Sequence, residues 1–554
     1  MQAQDSLNKY IEQAIKSRWE HPAMSNFQGA AFEYRDVARK ISKLHILFEK
    51  TGLKPGDKIA YCGKNSAQWA IAVIGAITYG AVAVPILHDF KAETVQHLIN
   101  HCEAKLVFVD NQTWKNMDIK EIPQVKGVLL IDDYSLLMSA DSALTEARNK
   151  LNLLFGQRYP ERFRPEDIHY YEPSPDELAL INYTSGSTGM SKGVMLTYGN
   201  LWSNIQYYID RMTFLKPGDS LLSMLPLAHM YGLMVECMHG FVKGVHVYFL
   251  ARTPSPKIIM DALAEIKPKL VVTVPLVLEK IIRTRVFPAL KKPIPSLMLK
   301  VPGLSERIYS NIHNKLIKAF GGNLREVIIG GAALSEEVET FLRRIKFPFT
   351  VGYGMTECAP LIAYASWDEQ RPGSCGKVVS RMKIKVDSPD PANIPGVLWV
   401  SGENVMKGYY HNPEATEEAF QDGWMRTGDI CNVDKDGFIY IRGRDKNMIL
   451  GPSGQNIYPE EIEQKLNVLP LVSESIVIDD ADSKLIALIH PDMEQVAHRK
   501  ISDEELQKIM KDNITVLNQQ LPAYSKVSDF KIYTEEFEKT PKRSIKRFLY
   551  QIKK

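Results

Sequence analysis

Cysteine is scarce in this chain: six residues in 554, at Cys62, Cys102, Cys237, Cys358, Cys375 and Cys431. No two stand at a paired metal-ligand spacing, which excludes a zinc-finger-like site. Their scatter equally excludes the disulfide framework of a small secreted domain, and a reducing cytoplasm is the expected setting. An excess of one charge is also missing. The 68 Lys and Arg against 65 Asp and Glu leave +3, far from the basic balance of a dedicated nucleic-acid binder. The longest apolar run, "AIAVIGAITYGAVAVPIL" at 70–87, is barely long enough to span a bilayer, and Gly75, Gly80 and Pro85 break it. It reads as a buried helix leading into a core strand. The opening residues, "MQAQDSLNKYIEQAIKSRWE", are amphipathic and charged, so they do not read as a signal peptide. There is no internal repeat and no low-complexity tract. What remains is a globular composition, 45% hydrophobic and 24% charged, on a chain long enough for three or four core-sized units.

From about residue 52 to residue 250, apolar strand-like runs ("KIAYCG", "KLVFVD", "GVLLID", "LALINYT", "HVYFLA") alternate with helical patterns. That alternation predicts parallel α/β layers. "PKIIMDALAEIKPKLVVTVP" repeats it as helix, turn and strand, and "LREVIIGGAALSEEVETFLRRI" places Ser335 to cap a helix with an acidic first turn. Over 378–400 the chain changes to short strands with Pro/Gly turns, a small β unit. The last stretch, about 110 residues, reads as a compact α+β domain.

The stretch "YTSGSTGMSKGVMLT" at 183–197 sets a loop of small and hydroxyl residues between two strands. Glycines let successive backbone N–H groups turn inward to cradle an anion, Ser and Thr add rotatable donors, and Lys192 adds a point charge. That is equipment for a polyphosphate. It differs from the common nucleoside-triphosphatase loop, which needs Gly-Lys-Ser/Thr where this chain has Ser191-Lys192-Gly193. Four further polar clusters interrupt apolar runs: "PLAHMYGLM" with His229, "VGYGMTECAP" with Thr356 and Glu357, "DGWMRTGDI" ending in a turn with Asp429, and "GRDKNMI" with Arg444 and Lys446. Taken singly each has a plain structural reading: a buried histidine, turn chemistry at Asp429, a solvated Arg444–Asp445 pair.

In order and content together, these clusters resemble the adenylate-forming superfamily of acyl-CoA synthetases, peptide-synthetase adenylation domains and luciferases, over nearly the whole chain. "YTSGSTGMSKGV" matches the family's phosphate loop except that Ser191 stands where proline is usual, and "GYGMTE", "TGD" and "GRDKNMI" follow in sequence. "FGGNLREVIIGGAAL" and "DGWMRTGDI" look most like long-chain fatty acid–CoA ligases. The resemblance implies an α/β fold: a large multi-layered N-terminal domain (1–445) with parallel-rich sheets and a small β unit, then a smaller mobile α+β cap (446–554) hinged at Lys446. It implies ATP-dependent activation of a fatty acid to an acyl-adenylate, then transfer to CoA. Thr184, Ser185, Gly186, Ser187, Thr188, Gly189 and Lys192 would hold phosphates. Glu357 would ligate Mg²⁺ and Thr356 would meet the α-phosphate. Gly331, Ala332 and Tyr353 would line the adenine pocket, with Gly354 also among the nucleotide-binding residues, while Asp429 would bind ribose and Arg444 the ribose or a phosphate. The acyl chain would pass His229, Met230 and Tyr231, and Gly454 would border the thiol tunnel.

Other readings share these motifs: an acyl-carrier-protein synthetase, an aryl-acid–CoA ligase, or a nucleotide-binding pseudoenzyme. Partners are expected to be small molecules, with no nucleic acid. The segment 280–300, with six basic residues and no acid, suggests transient contact with an anionic membrane face or, equally, a solvated basic surface. One departure from the family stands at the C-terminus. In "EKTPKRSIKRFLY" Ser544 occupies the place of the family's catalytic lysine. Lys542 and Lys546 flank it on the same face of an extended segment.

Overall fold

The computed structural model describes residues 6–184, 191–252, 255–290, 292, 303–451, 455–480, 484–540 and 545–550. The apolar run of 70–87 behaves as its composition dictates. Helix Ala67–Tyr79 is apolar on all sides and almost wholly buried, the Ser66 side chain caps its first turn, and Gly80 ends it at φ 92°. The chain then enters the buried strand Val82–Ile86.

Among the described residues, two large sheets dominate. One runs, edge to edge, Gly408–Tyr409, Lys192–Thr197, Leu178–Thr184, Val82–Ile86, Lys58–Cys62, Leu106–Val109, Gly127–Leu130 and Leu136–Ser139. Its centre is parallel, and antiparallel pairs close both edges. The second runs Phe349–Val351, Glu326–Ile329, Leu270–Thr273, Ser220–Ser223, His246–Phe249, Pro22–Asn26 and Ala31–Glu33, parallel except at its last pair. Parallel strands need covering on both faces. One apolar core threads through helix Ala67–Tyr79, helix Tyr198–Arg211 and the segment of Met230 to Phe241, and joins both sheets to the β unit of Leu398, Met425 and Ile439.

That β unit carries antiparallel strands Met382–Asp387, Gly396–Gly402, Trp424–Val433 and Ile439–Arg444. Beyond it a smaller domain has strands Val472–Asp479, Leu485–Pro491 and Val527–Ile532 with helices Pro459–Leu466 and Asp503–Gln519 around its own apolar core. The mixed α/β class and the large-plus-small arrangement follow the sequence reading. The smaller domain touches the larger one where Gln464 Nε2 donates to the Leu334 carbonyl at 2.7 Å.

Ser335 corrects a local expectation. It does sit at the N-terminus of helix Glu336–Arg344, yet its side chain makes no cap. Its hydroxyl accepts from Arg283 Nη2 at 3.0 Å, and Arg283 also pairs with Glu337 at 2.8 Å. A guanidinium already held by two partners outcompetes the single backbone N–H. The same contact removes Arg283 from the free basic face expected of 280–300. No helix among the described residues is long and apolar enough to cross a membrane.

Candidate active site

Strand Leu178–Thr184 ends at Thr184, and strand Lys192–Thr197 opens with Lys192. The two are antiparallel with Thr184 directly opposite Lys192. These residues therefore form the base of the glycine–hydroxyl loop, on one side and the other. Ser185, Gly186, Ser187, Thr188 and Gly189 lie outside the described residues, as does Gly454.

Strand Glu326–Ile329 leads to Gly331, which takes φ +85°, and Ala332. The Gly352 N–H donates to the Ile329 carbonyl at 2.9 Å, which lays this turn beside Tyr353 and Gly354. A Cβ at Gly354 would stand 2.2 Å from the Pro360 carbonyl oxygen. Only glycine lets the two backbones approach so closely. Thr356 and Glu357 follow on the short helical turn Thr356–Cys358. Asn204 pins that turn, donating to the Cys358 carbonyl at 3.2 Å and accepting from the Leu361 N–H at 3.1 Å.

Asp429 is not on a terminal turn. It lies within the ten-residue strand Trp424–Val433, with Gly428 before it at φ +73°. Strand Ile439–Arg444 places Arg444 directly opposite. Arg444 Nε is 2.7 Å from Asp429 Oδ1, while Asp445 is taken by Arg426. The solvated Arg444–Asp445 pair is thus replaced by a cross-strand one. The Tyr353 hydroxyl donates to Asp429 Oδ2 at 2.5 Å. Burial raises the Asp429 carboxyl above its ordinary range, opposed by Arg444 and by the Tyr353 hydrogen bond. Burial, and then the Asp429 charge, push the Tyr353 hydroxyl up, which keeps it a donor. Lys446, on the turn Asp445–Asn447, is pulled down by burial and then by Arg444.

His229 is half-buried rather than enclosed. Its loop is stitched in place by two asparagines that the sequence did not single out. Asn65 donates to the Leu225 carbonyl at 2.6 Å and accepts from the Leu227 N–H at 2.9 Å. Asn182, two residues before Thr184, donates to the Ala228 carbonyl at 2.8 Å. Tyr231 then reaches the Ile328 carbonyl at 3.2 Å, beside Gly330. These residues lie at the carboxyl ends of strands Leu178–Thr184, Ser220–Ser223 and Glu326–Ile329, where open α/β sheets place ligands, and they border the candidate cleft.

Tyr409 is a further residue that sequence reading missed. Its hydroxyl donates to Glu357 Oε1 at 3.0 Å, and the Lys192 ammonium lies 4.8 Å from its ring centroid. "KGYYHN" holds two adjacent tyrosines, and only the strand pairing tells which of them faces the cleft. Glu357 accepts from this neutral hydroxyl and from no cation within ion-pair distance among the described residues. A half-exposed carboxylate with no ion-pair partner among the described residues could take Mg²⁺, which is held by one or two carboxylates and completes its shell with phosphate oxygens and water. No group of three or more His, Cys, Asp or Glu among the described residues is arranged to hold a metal ion by itself.

At the C-terminus, Lys542 and Ser544 lie outside the described residues, and Lys546 Nζ pairs with Glu538 Oε2 at 3.2 Å.

Comparison with known proteins bears on this cleft. Residues 11–410 match the model of the AMP-binding enzyme family, and 446–551 match that of the AMP-binding enzyme C-terminal domain. A long-chain-fatty-acid–CoA ligase of Mycobacterium bovis is 31% identical over 486 residues, covering 83% of this chain and 77% of its own. A feruloyl-CoA synthase of Amycolatopsis sp is 27% identical over 471 residues, covering 84% of each. In fold the chain is similar to an anthranilate CoA ligase solved with anthranoyl-AMP, at TM-score 0.78 and 20% identity, covering 99% of this chain and 97% of that one.

Proposed function

This chain belongs to the AMP-binding enzyme family, and from that premise we propose that it activates a long-chain fatty acid as the acyl-adenylate and transfers it to CoA. Adenylate-forming CoA-ligase chemistry, ending in an acyl thioester, is what the family supports together with the CoA-ligase relatives of this chain. The fatty chain, the division of the two domains at 445/446 and the roles of single residues are our reading.

A carboxylate resists thiol attack because its leaving group would be oxide or hydroxide. Transfer to AMP supplies a better one. The acid's oxygen attacks the α-phosphorus of ATP and pyrophosphate leaves, then the CoA sulfur attacks the acyl carbon and AMP leaves. The first step brings an anion to a polyanion, so charge neutralisation dominates. Thr184 and Lys192 would hold the terminal phosphates, each charge-assisted bond contributing about 1.5–3 kcal/mol. Glu357 would hold magnesium, which supplies charge neutralisation on the phosphates. Asp429 offers acceptors for the ribose hydroxyls, with Arg444 holding its orientation and Tyr353 bordering the adenine. Lys446 is the hinge about which the small domain turns, so one cleft serves both steps.

The observation that carries this reading is the convergence on one cleft of Thr184 with Lys192, Glu357, and the Tyr353–Asp429–Arg444 chain. The fatty substrate is supported by the mycobacterial relative's name, and the feruloyl relative supports an aryl acid as second reading. Pyrophosphate exchange across acids of increasing length tests both. Each buried CH₂ contributes about 0.8 kcal/mol, so affinity should climb roughly fourfold per methylene until the tunnel is filled. Preference for ferulate, benzoate or acetate over palmitate overturns the fatty reading, and absence of exchange with any acid points to a nucleotide-binding pseudoenzyme. Thioester assays with CoA against carrier protein identify the acceptor.

A further inference from the structure

Lys192 and Glu357 carry opposite charges into the same cleft, yet they do not form an ion pair. The Tyr409 ring stands between them: the ammonium lies over its face, 4.8 Å from the centroid, and the carboxylate accepts its hydroxyl at 3.0 Å. We infer that Tyr409 is a positioning residue that holds Lys192 and Glu357 apart, so that neither charge is consumed by the other before a metal–nucleotide arrives. The inference rests on the adenylating reading above and adds to it a residue and a reason.

The placement of the ring is fixed by backbone rather than by its own contacts. The short strand Gly408–Tyr409 pairs antiparallel with Met195 and Val194, just after Lys192. Flanking it, the Lys407 N–H donates to the Met195 carbonyl at 2.9 Å and the Tyr410 N–H to the Gly193 carbonyl at 2.7 Å. On the other side the Met406 N–H donates to the Glu357 carbonyl at 2.8 Å. The Tyr409 N–H is taken by Thr416 Oγ1 at 2.9 Å. One segment is therefore tied by main chain to both charge-bearing segments, and its one inward side chain meets both charges. Alternation sends the neighbour away: the Tyr410 hydroxyl donates to Glu103 at 3.0 Å, beside Lys58.

Physically, a carboxylate and an ammonium in direct contact in a closing cleft would have to separate before the carboxylate could take a divalent cation and the ammonium a phosphate. A cation over an aromatic face and a carboxylate on a neutral hydroxyl each keep an uncharged partner, so neither charge is neutralised as it would be in that direct pair. Each remains oriented and each is released readily. The aromatic face serves the lysine and the hydroxyl serves the carboxylate, so the two halves of the side chain can be removed separately.

The test is ATP binding to the full chain by isothermal titration calorimetry, without acid substrate, with Mg²⁺ and with chelator, alongside melting temperature. Tyr409→Phe keeps the face and loses the bond to Glu357. It should weaken Mg–ATP binding about three- to tenfold, the net size of one ordinary hydrogen bond, and leave metal-free ATP within twofold. Tyr409→Leu removes both contacts and should weaken ATP with and without metal by about tenfold or more. Tyr410→Phe is the control and should match wild type. If both Tyr409 variants bind ATP like wild type in both conditions, the inference is wrong while the adenylating reading stands. Equal losses with and without metal in Tyr409→Phe, with a melting temperature lowered in step, also overturn it, as a merely structural role. A wild-type chain that binds no ATP overturns both.

Discussion

Asp429 and Arg444 face each other across two antiparallel strands with Oδ1 and Nε 2.7 Å apart, the carboxylate buried at 4% exposure and the guanidinium half-exposed at 48%. The pair is asymmetric. The fold fixes Asp429, and Arg444 compensates it from the rim. Asp429→Asn keeps the shape and removes the charge that orients Arg444 and that we propose for the ribose. Nucleotide affinity should fall by about tenfold or more, as expected for a charge-assisted contact of about 1.5–3 kcal/mol. Calorimetric titration with ATP checks this, and an unchanged affinity would place the ribose elsewhere.

Glu357→Gln leaves an acceptor for the Tyr409 hydroxyl and removes the charge we propose for magnesium. Adenylation, followed by pyrophosphate exchange, should fall by about 10²–10³, as for loss of a preorganised electrostatic contact. Activity within a fewfold of wild type would show that Glu357 is not the ligand.

Glu236 is fully buried and accepts from the Ser223 hydroxyl at 2.8 Å and from the Met224 and Leu225 N–H groups at 3.2 Å each. Burial pushes its carboxyl from 4.5 up to about 8, and these three donors oppose the rise. Since the folded value lies above the unfolded one, the folded chain binds the extra proton between them. The resulting stability is complete below about pH 4.5 and is lost as pH rises through about 8, up to about 5 kcal/mol in all at 1.36 kcal/mol per unit. Melting temperature against pH should therefore slope downward over this window in wild type and be flatter in Glu236→Gln. Parallel slopes in the two proteins would exclude the effect.

The C-terminal lysine is tested by two single variants. One of Lys542→Ala and Lys546→Ala should abolish adenylation while thioester formation from supplied acyl-adenylate continues. Lys546 is held by Glu538 at 3.2 Å, an ion pair on a partly exposed surface that costs little to break. If the double variant adenylates at the wild-type rate, the phosphate is neutralised without a C-terminal lysine.

The basic segment 280–300 should bring the chain to anionic vesicles at low salt, about 1 kcal/mol per basic residue near the surface, and release it at high salt. With Arg283 occupied by Glu337 and Ser335, fewer than the six basic residues are free to contribute. Co-sedimentation with phosphatidylserine vesicles measures it, and no binding at low salt removes the membrane contact.

What the sequence determined by itself is local. The strand–loop–strand at 178–197, the buried helix Ala67–Tyr79 between Ser66 and Gly80, and the alternation that makes parallel layers follow from side-chain period, capping and glycine conformation, which act over a few residues. The order of the polar clusters added the family. What only the tertiary structure decided are the pairings across distance. Arg444 stands beside Asp445 in the chain but binds Asp429, because strand register puts Asp429 opposite it. Ser335 has a cap-like sequence but serves Arg283, 52 residues away. Tyr409 and Tyr410 are chemically alike, and their roles divide because an antiparallel neighbour points one into the cleft and the other out. Register belongs to the assembled sheet and competition for a hydrogen-bond partner to the packed chain, and no window of neighbouring residues contains them.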